Sequence, residues 1–370
     1  MELALYCPNY GYYEREKDNI GRGGDYYTSV SVGSLFGELL AVQFAEWLES
    51  GPLPRRSTNG PDQGSEAVCI VEAGAHHGDL ARDILGWLRA NRAALFDRLE
   101  YWIVEPSGGR QRRQQARLAE FGTTVRWADD FRRWTGEAVA GARSQAPVPL
   151  RGVIFSNELL DAMPVHRLGW DAVAKRWFEW GVAVRAGRFV WTRIPDSGPQ
   201  QAKAPASFTG LPVQIPRELM EVLPDGFTTE VCPAAEHWWR TAAAALGAGK
   251  LVTLDYGLEA EEFFVPGRRE GTVRGYHCHQ SSSDVLGCPG SQDITAHVNF
   301  TAIRSAGEAV GLRTELFLNQ AQFLTRIAAR TQEGQGCFGL WTPERARQFQ
   351  TLVHPEHLGR PFRVLVQERL

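Results

Sequence analysis

Short apolar runs alternate with helical patterns along most of the chain from residue 67 onward. The apolar runs span residues 68–71, 102–104, 124–127, 153–155 and 251–254. Residues 80–88 and 110–121, between the first three runs, have the spacing of helices. This rhythm predicts an α/β fold with a Rossmann-like parallel sheet flanked by helices. Right-handed crossovers would then place a ligand crevice at the carboxyl ends of the strands.

The chain begins with a segment that we expect to cover the sheet. Apolar residues recur at helical spacing over residues 33–49, which predicts an amphipathic helix. Residues 55–66 are polar and rich in turn formers, which predicts a loop. We therefore predict an N-terminal cover segment, residues 1–66, and then the first part of the main domain, residues 67–164.

The rhythm changes after the fourth predicted strand, where polar and aromatic side chains alternate as in an antiparallel hairpin. The elements predicted from this point are a hairpin over 164–195, helices near 216–223 and 234–246, and strands near 312–318 and 361–368. We predict that residues 165–246 form an inserted subdomain. Residues 247–370 would then be the second part of the main domain and would close the sheet.

Composition limits the classes of partner. The chain has 370 residues and 43% hydrophobic content, which is enough for a large core, and a formal net charge of -3. That charge provides no global basic field, so we expect no nucleic-acid partner. The longest apolar run falls well short of the roughly 20 residues that a membrane helix needs. The first residues lack the pattern of a signal or transit peptide, so a cytoplasmic location is the expectation.

A glycine-rich stretch lies where the first predicted strand gives way to a helix. Residues 71–80 read VEAGAHHGDL. Gly74 and Gly78 would let the backbone approach a ligand, and the following helix would offer free N–H groups. A tight turn that binds no ligand is the alternative.

Acidic residues follow the second and third predicted strands. Glu105 ends the second and is placed to accept hydrogen bonds from two ribose hydroxyls, as in dinucleotide and S-adenosylmethionine sites. Asp129 ends the third and could accept from an adenine amino group. A solvated carboxylate at 105 and a helix cap at 129 are the alternatives.

The segment at 155–164, FSNELLDAMP, resembles the NE-hydrophobic-hydrophobic-DA-x-P signature of the MidA-like methyltransferases. These are relatives of the mitochondrial complex I assembly-factor arginine methyltransferase. Further blocks agree in the same order, at residues 6–13, 24–29, 271–276, 289–300 and 319–324. The resemblance implies a Rossmann-like class I methyltransferase sheet that is mostly parallel with an antiparallel last strand. An N-terminal helical cover and an inserted β-hairpin and helical subdomain would complete it.

The resemblance also implies S-adenosylmethionine as the cofactor. The cofactor contacts that it implies are Glu72, Gly74, Gly78, Glu105, Asp129, Asn157, Thr28 and Ser29. By resemblance the methyl acceptor is an arginine of a partner protein, and carboxylates must hold its guanidinium in place. The implied catalytic candidates are Glu158, Asp161 and Asp25, with Asp293 as a further contributor. Ordinary turn or helix-start roles are the alternatives for Asp161 and Asp25.

One departure from the family pattern bears on function. The family motif reads E-x-G-P-G-R-G-T-L, whereas His76 stands here for the central glycine, His77 for the arginine and Asp79 for the threonine. An imidazole at position 76 could fill the cofactor's space or force a positive φ on a residue that disfavours it. A second hypothesis is therefore a degenerate relative that binds proteins without transferring methyl groups. A nicotinamide-dependent oxidoreductase is disfavoured because the glycines do not read GxGxxG.

Metal binding and assembly complete the expectations. His277, Cys278, His279 and His297 form a suggestive set, but their spacing is unlike that of zinc ligands, so we predict no metal. The six cysteines are scattered without a CxxC pair, which indicates reduced thiols. The aromatic hairpin most often packs on its own domain, although an exposed one could support a homodimer.

Overall fold

The computed structural model describes residues 1–15, 27–50, 68–136, 148–195, 217–333 and 338–370. The strands within these ranges are β1 Val68–Ala73, β2 Leu99–Val104, β3 Val125–Ala128, β4 Leu150–Asn157, β5 His166–Asp171, β6 Arg176–Arg185, β7 Arg188–Arg193, β8 Thr228–Val231, β9 Leu246–Leu258, β10 Arg274–His277, β11 Gln280–Ser282, β12 Asp293–Thr295, β13 Val298–Asn299, β14 Arg313–Asn319 and β15 Phe362–Arg369. The helices are α1 Glu2–Tyr6, α2 Leu35–Ser50, α3 Asp79–Asn91, α4 Ala93–Phe96, α5 Gly108–Arg117, α6 Arg132–Thr135, α7 Arg217–Val222, α8 Pro233–Ala245, α9 Ala260–Phe263, α10 Phe300–Glu308, α11 Gln320–Glu333 and α12 Pro343–Leu352.

The central sheet has the order β14-β15-β9-β4-β1-β2-β3, with β13 paired to β9. Strands β3, β2, β1, β4 and β9 run parallel, and β15 is antiparallel to both β9 and β14. The predicted mostly parallel sheet with an antiparallel last strand is therefore confirmed. The carboxyl ends of the parallel strands lie along one edge, which is where such sheets bind ligands.

Helices cover both faces of this sheet because its strands are apolar on both sides. On one face, α2, α3 and α11 bury a cluster that includes Phe36, Phe44 and Phe155. On the other face, α8 and α10 bury Trp239 and Phe300. The predicted N-terminal helix over 33–49 corresponds to α2, which supplies much of the first cluster.

The predicted insertion forms a second sheet with the order β7-β6-β5-β8. Its β6–β7 hairpin turns at Ala186 and Gly187, both with positive φ, in the two-residue turn that suits twisted strands. Helix α8 follows β8 in the chain and packs on the central sheet. This packing indicates that the insertion ends before residue 233. The division of the chain into domains stays a proposal.

A third small sheet, β11-β10-β12, was not predicted. Its strands are three or four residues long, and β11 is fully exposed and polar, so no apolar alternation marks it in the sequence. This sheet brings Asp293 and Thr295 over the carboxyl edge of the central sheet. Tertiary pairing, not local pattern, creates this wall of the site.

Candidate active site

A cavity of about 1210 Å³ opens at the carboxyl ends of β1, β2, β4 and β9. Its walls come from the β1–α3 turn, the segments that follow β2, β3 and β4, helix α8, the third sheet and the N-terminal segment. Small-molecule pockets usually enclose about 300–1,000 Å³. The cavity therefore has room for a nucleoside-sized cofactor and for part of a second substrate.

The β1–α3 turn is built from residues with left-handed backbone. Gly74 has a φ of 75°, and a side chain there would approach Leu159 Cδ1 to 2.8 Å. Gly78 has a φ of 87° and precedes α3, where its backbone packs beside Leu118 rather than on the cavity wall. Gly74 therefore borders the cavity, where a ligand contact was predicted. Gly78 does not line the cavity, and its left-handed backbone shapes the turn before α3.

His76 occupies the centre of this turn with a φ of 47°, so the positive φ anticipated at this position is present. Its ring lines the cavity and lies 3.8 Å from the ring of His77, centroid to centroid. Burial, helped by His77 and Arg110, lowers the pKa of His76 to about 3. The imidazole is therefore neutral at physiological pH, and it narrows the cavity where the family pattern has no side chain.

Glu72 lies at the end of β1 with its side chain almost fully buried. Its Oε2 accepts a hydrogen bond of 2.6 Å from the hydroxyl of Tyr101. Burial raises the pKa of Glu72 to about 7, and the Tyr101 hydroxyl opposes that rise. Glu72 borders the cavity beneath the β1–α3 turn, so it can be either neutral or charged near pH 7.

Glu105 follows β2 and is 2% exposed. Its Oε1 accepts from the backbone N–H of Ser107 at 2.8 Å and pairs with Arg110 Nη2, also at 2.8 Å. Its Oε2 receives a longer contact of 3.4 Å from Gln114 Nε2. One carboxylate oxygen is thus held by the protein, and the other retains capacity to accept from a ligand.

Asp129, Thr28 and Ser29 differ in whether they line the cavity and in what their side chains contact. Asp129 lines it after β3 and accepts from Gln111 Nε2 at 2.9 Å. Thr28 also lines it, but its Oγ1 accepts from the backbone N–H of Ser31 at 3.1 Å. Ser29 is fully buried and its hydroxyl donates to Gln320, away from the cavity. Ser29, predicted as a cofactor contact, does not line the cavity. Asp25 lies outside the described residues.

Three carboxyl groups line the other end of the cavity, Glu158, Asp161 and Asp293, and the fully buried Asp255 lies behind them. Glu158 follows β4 with a φ of 50°, and its Oε1 accepts from the backbone N–H of Ser29 at 3.3 Å. Burial and then Asp161 raise the pKa of Glu158 to about 8. Burial and then Asp255 hold the pKa of Asp161 well above its usual range. Non-glycine residues kept at positive φ cluster at functional sites, which fits Glu158.

Glu158 and Asp161 have no neutralising cation among the described residues. Among the described residues, neither Glu158 nor Asp161 forms an ion pair, and Asp161 Oδ1 is buried without a hydrogen-bond partner. Asp293 is 3% exposed and accepts from the Tyr13 hydroxyl at 2.7 Å. Buried acids of this kind are costly unless a cation or donor joins them, so the cluster is suited to a cationic ligand.

Asp255, near the end of β9, was missed by the sequence analysis. It is 0% exposed, and its Oδ2 accepts from the backbone N–H groups of Leu159, Leu160 and Asp161 at 3.2, 2.9 and 3.4 Å. Its Oδ1 accepts from the N–H of Tyr256 at 2.9 Å. Asp255 therefore fixes the turn that carries Glu158 and Asp161. The available signal was an acid directly after the apolar run 251–254, the pattern that singled out Glu105.

The residues present fit an S-adenosylmethionine cofactor at the β1–β2 side of the cavity. Glu105 has an oxygen available at the strand end where a ribose is expected. Asn157 ends β4, and its Oδ1 is buried without a partner among the described residues, so it can accept from an ammonium group. His76 narrows the space but leaves the cavity continuous.

Comparison with known proteins identifies the family. Residues 39–334 match the family model described as "Putative S-adenosyl-L-methionine-dependent methyltransferase". The chain belongs to this methyltransferase family. The predicted family, its class of reaction and its S-adenosylmethionine cofactor are confirmed by this match.

Individual relatives agree. The chain is 26% identical to the zebrafish (Danio rerio) "Protein arginine methyltransferase NDUFAF7, mitochondrial" over 98% of this chain and 80% of that protein. It is 29% identical to the mouse (Mus musculus) protein of the same name over 82% of this chain and 64% of that protein. A Burkholderia thailandensis methyltransferase-like structure bound to S-adenosyl-homocysteine has 30% identity and a TM-score of 0.76, covering 100% of this chain and 86% of that one.

These comparisons correct one expectation. The cytoplasmic location inferred from the start of the chain is wrong, because the curated relatives are named as mitochondrial proteins. Within the described ranges, no helix has the length and apolar content to cross a bilayer.

Proposed function

We propose that this protein transfers a methyl group from S-adenosylmethionine to an arginine side chain of a partner protein. The observation that carries the proposal is the pair Glu158 and Asp161, two acids in a large cavity with no cation of the described chain beside them. A guanidinium offers five N–H donors in a planar fork and a permanent positive charge. The names of the zebrafish and mouse relatives point to the same acceptor.

The roles of the residues follow from their positions. S-adenosylmethionine supplies, when bound, a methyl group on a positively charged sulfur. Glu105 would accept from its ribose hydroxyls, and Asn157 Oδ1 from its ammonium group. Glu158 and Asp161 would accept hydrogen bonds from the guanidinium and orient one nitrogen towards the methyl. Their raised pKa values also place them to take up the proton that the methylated nitrogen loses.

Calorimetry tests whether the protein binds the cofactor at the site assigned to Glu105. We expect S-adenosylhomocysteine to bind the full chain, and Glu105→Ala to weaken binding at least tenfold because a buried charged acceptor is lost. Asp97→Ala removes an exposed carboxylate just before β2 and serves as the matched control. Equal binding by wild type and Glu105→Ala would refute the assigned cofactor site.

A methyl-transfer assay tests the acceptor half. Tritiated S-adenosylmethionine is incubated with arrays of arginine-centred peptides and with matched lysine-centred peptides. We expect label on arginine only, and its loss in Glu158→Gln, which keeps the shape of the side chain but removes its charge. Label on lysine peptides alone would overturn the acceptor assignment.

One observation supports a second candidate function. His76 has a left-handed backbone and a neutral ring on the cavity wall where the family pattern has glycine. If this ring excludes the cofactor, we infer that this protein binds a protein partner without methylating it. Folded wild type that gives no binding heat with S-adenosylhomocysteine, together with binding restored in His76→Gly, would favour this candidate. A homodimer through the β6–β7 hairpin and the absence of a nucleic-acid partner stay predictions.

A further inference from the structure

Residues 1–15, the described start of the N-terminal segment, contact the cofactor side of the cavity through a series of ion pairs. Glu14 Oε1 accepts from Arg110 Nη1 at 2.9 Å, and Arg110 Nη2 pairs with Glu105 Oε1 at 2.8 Å. The side chains of Glu14, Arg110 and Glu105 are 18%, 12% and 2% exposed, so solvent screens these pairs only weakly. Such short, sheltered, charge-assisted bonds hold geometry more firmly than surface ion pairs do.

A second contact supports the same arrangement. The Ser107 hydroxyl donates to Glu14 Oε2 at 2.8 Å, and the Ser107 backbone N–H donates to Glu105 Oε1 at 2.8 Å. Ser107 also precedes α5, the helix that carries Arg110. Glu14 therefore contacts both groups that hold Glu105 Oε1, although it does not touch Glu105 itself.

The segment that carries Glu14 is fixed at other points on the site. The Tyr6 hydroxyl donates to the carbonyl oxygen of Ala162 at 2.9 Å, and the Tyr13 hydroxyl donates to Asp293 Oδ1 at 2.7 Å. The rings of Tyr6 and Tyr13 stack at 5.5 Å between centroids. The segment thus joins the acidic end of the cavity to the cofactor end.

We propose that Arg110, held in place by Glu14 of the N-terminal segment, is a positioning residue that keeps Glu105 aimed at the cofactor. The proposal rests on the ribose-binding role given to Glu105 under the proposed function. Arg110 and Ser107 occupy Oε1, which leaves Oε2, with only its 3.4 Å contact among the described residues, for the ribose. Without Arg110, Oε1 keeps only the Ser107 N–H bond within the described ranges, so the carboxylate is held less firmly.

The partners of Arg110 keep it charged. Burial lowers the pKa of Arg110, but Glu105 and Glu14 outweigh burial and leave it above its ordinary value. Arg110 is therefore a permanent cation between the two carboxylates.

The test is calorimetry of S-adenosylhomocysteine binding at pH 7.0 with the full chain. We expect Arg110→Met to weaken binding about tenfold, the equivalent of one charge-assisted bond. Arg110→Lys should recover part of the affinity. Glu14→Gln should give a smaller loss in the same direction. Arg112→Met, on an exposed position of the same helix, is the control and should bind like wild type.

The outcomes separate this proposal from the cofactor site itself. If Glu105→Ala loses binding while Arg110→Met and Glu14→Gln match wild type, the positioning role is refuted and the cofactor site stands. If Glu105→Ala binds like wild type, the cofactor site itself is refuted. Should Arg110→Met fail to fold by circular dichroism, Arg110→Lys and Glu14→Gln decide the question. A loss in both supports the role, and unchanged binding in both overturns it.

Discussion

Removing the Asp255 carboxylate should loosen the turn that carries Glu158 and Asp161. Asp255 is fully buried and accepts four backbone N–H groups, two of them at 2.9 Å. Leaving a buried donor unpaired costs about 1–3 kcal/mol, so losing the two shortest bonds should lower the free energy of unfolding of Asp255→Ala by about 2–6 kcal/mol. Asp255→Asn keeps an oxygen that can accept from the turn but loses the bond from the Tyr256 N–H. Its free energy of unfolding should therefore fall by about 1–3 kcal/mol.

The pH dependence of the stability lost in the Asp255 variants provides a second, independent test of the role of this carboxyl group. Burial and Glu158 raise the pKa of Asp255 to about 8 in the folded state, against an unfolded value near 4. The folded state therefore binds more protons between these values, and this carboxyl makes the wild type less stable as the pH rises from about 4 to about 8. Both variants lack the ionisable group, so their deficit relative to wild type should shrink over that range.

The assay is urea unfolding followed by tryptophan fluorescence at pH 5.5 and 8.5, with the m value compared between proteins. Ser156→Ala is the matched control, because it removes a buried hydroxyl from the neighbouring strand β4, where it contacts Thr253 of β9. Asp255 variants within about 0.5 kcal/mol of wild type at pH 5.5 would contradict the bonding role assigned to Asp255. A deficit that grows with pH would contradict the electrostatic reasoning.

Three further predictions concern the cavity. His76→Gly should tighten S-adenosylhomocysteine binding, because it relieves a positive φ and removes a ring from the wall; weaker binding in calorimetry would show that the ring helps the cofactor. Arginine binding should release protons at pH 7, since a guanidinium favours ionised Glu158 and Asp161; equal binding heats in buffers of different ionisation enthalpy would contradict this. Gly74→Ala should weaken cofactor binding, because the new methyl meets Leu159 at 2.8 Å and the φ of 75° suits glycine; unchanged affinity would exclude a role for this turn.

The mostly parallel central sheet and the location of the crevice could be predicted from the sequence, because both depend on local pattern. Apolar runs of strand length, separated by helical spacing, leave few arrangements once right-handed crossovers are required. Glu105 could be found because it directly follows such a run, and chain connectivity then fixes it at the carboxyl edge. Glu158, three residues after the run 153–155, was found through the family resemblance. Gly74 and His76 were informative for a similar reason, since a strand-to-helix turn restricts φ.

The tertiary structure alone decided how these groups are used. Asp255 fixes the Glu158 turn across nearly a hundred residues of sequence, and Ser29 turns its hydroxyl to Gln320 instead of the cavity. The third sheet brings Asp293 over the acids through pairing that no apolar pattern marks. Glu14 meets Arg110 only because the N-terminal segment crosses the site. Each is a long-range hydrogen bond or strand pairing, and such contacts depend on how elements distant in sequence are packed together.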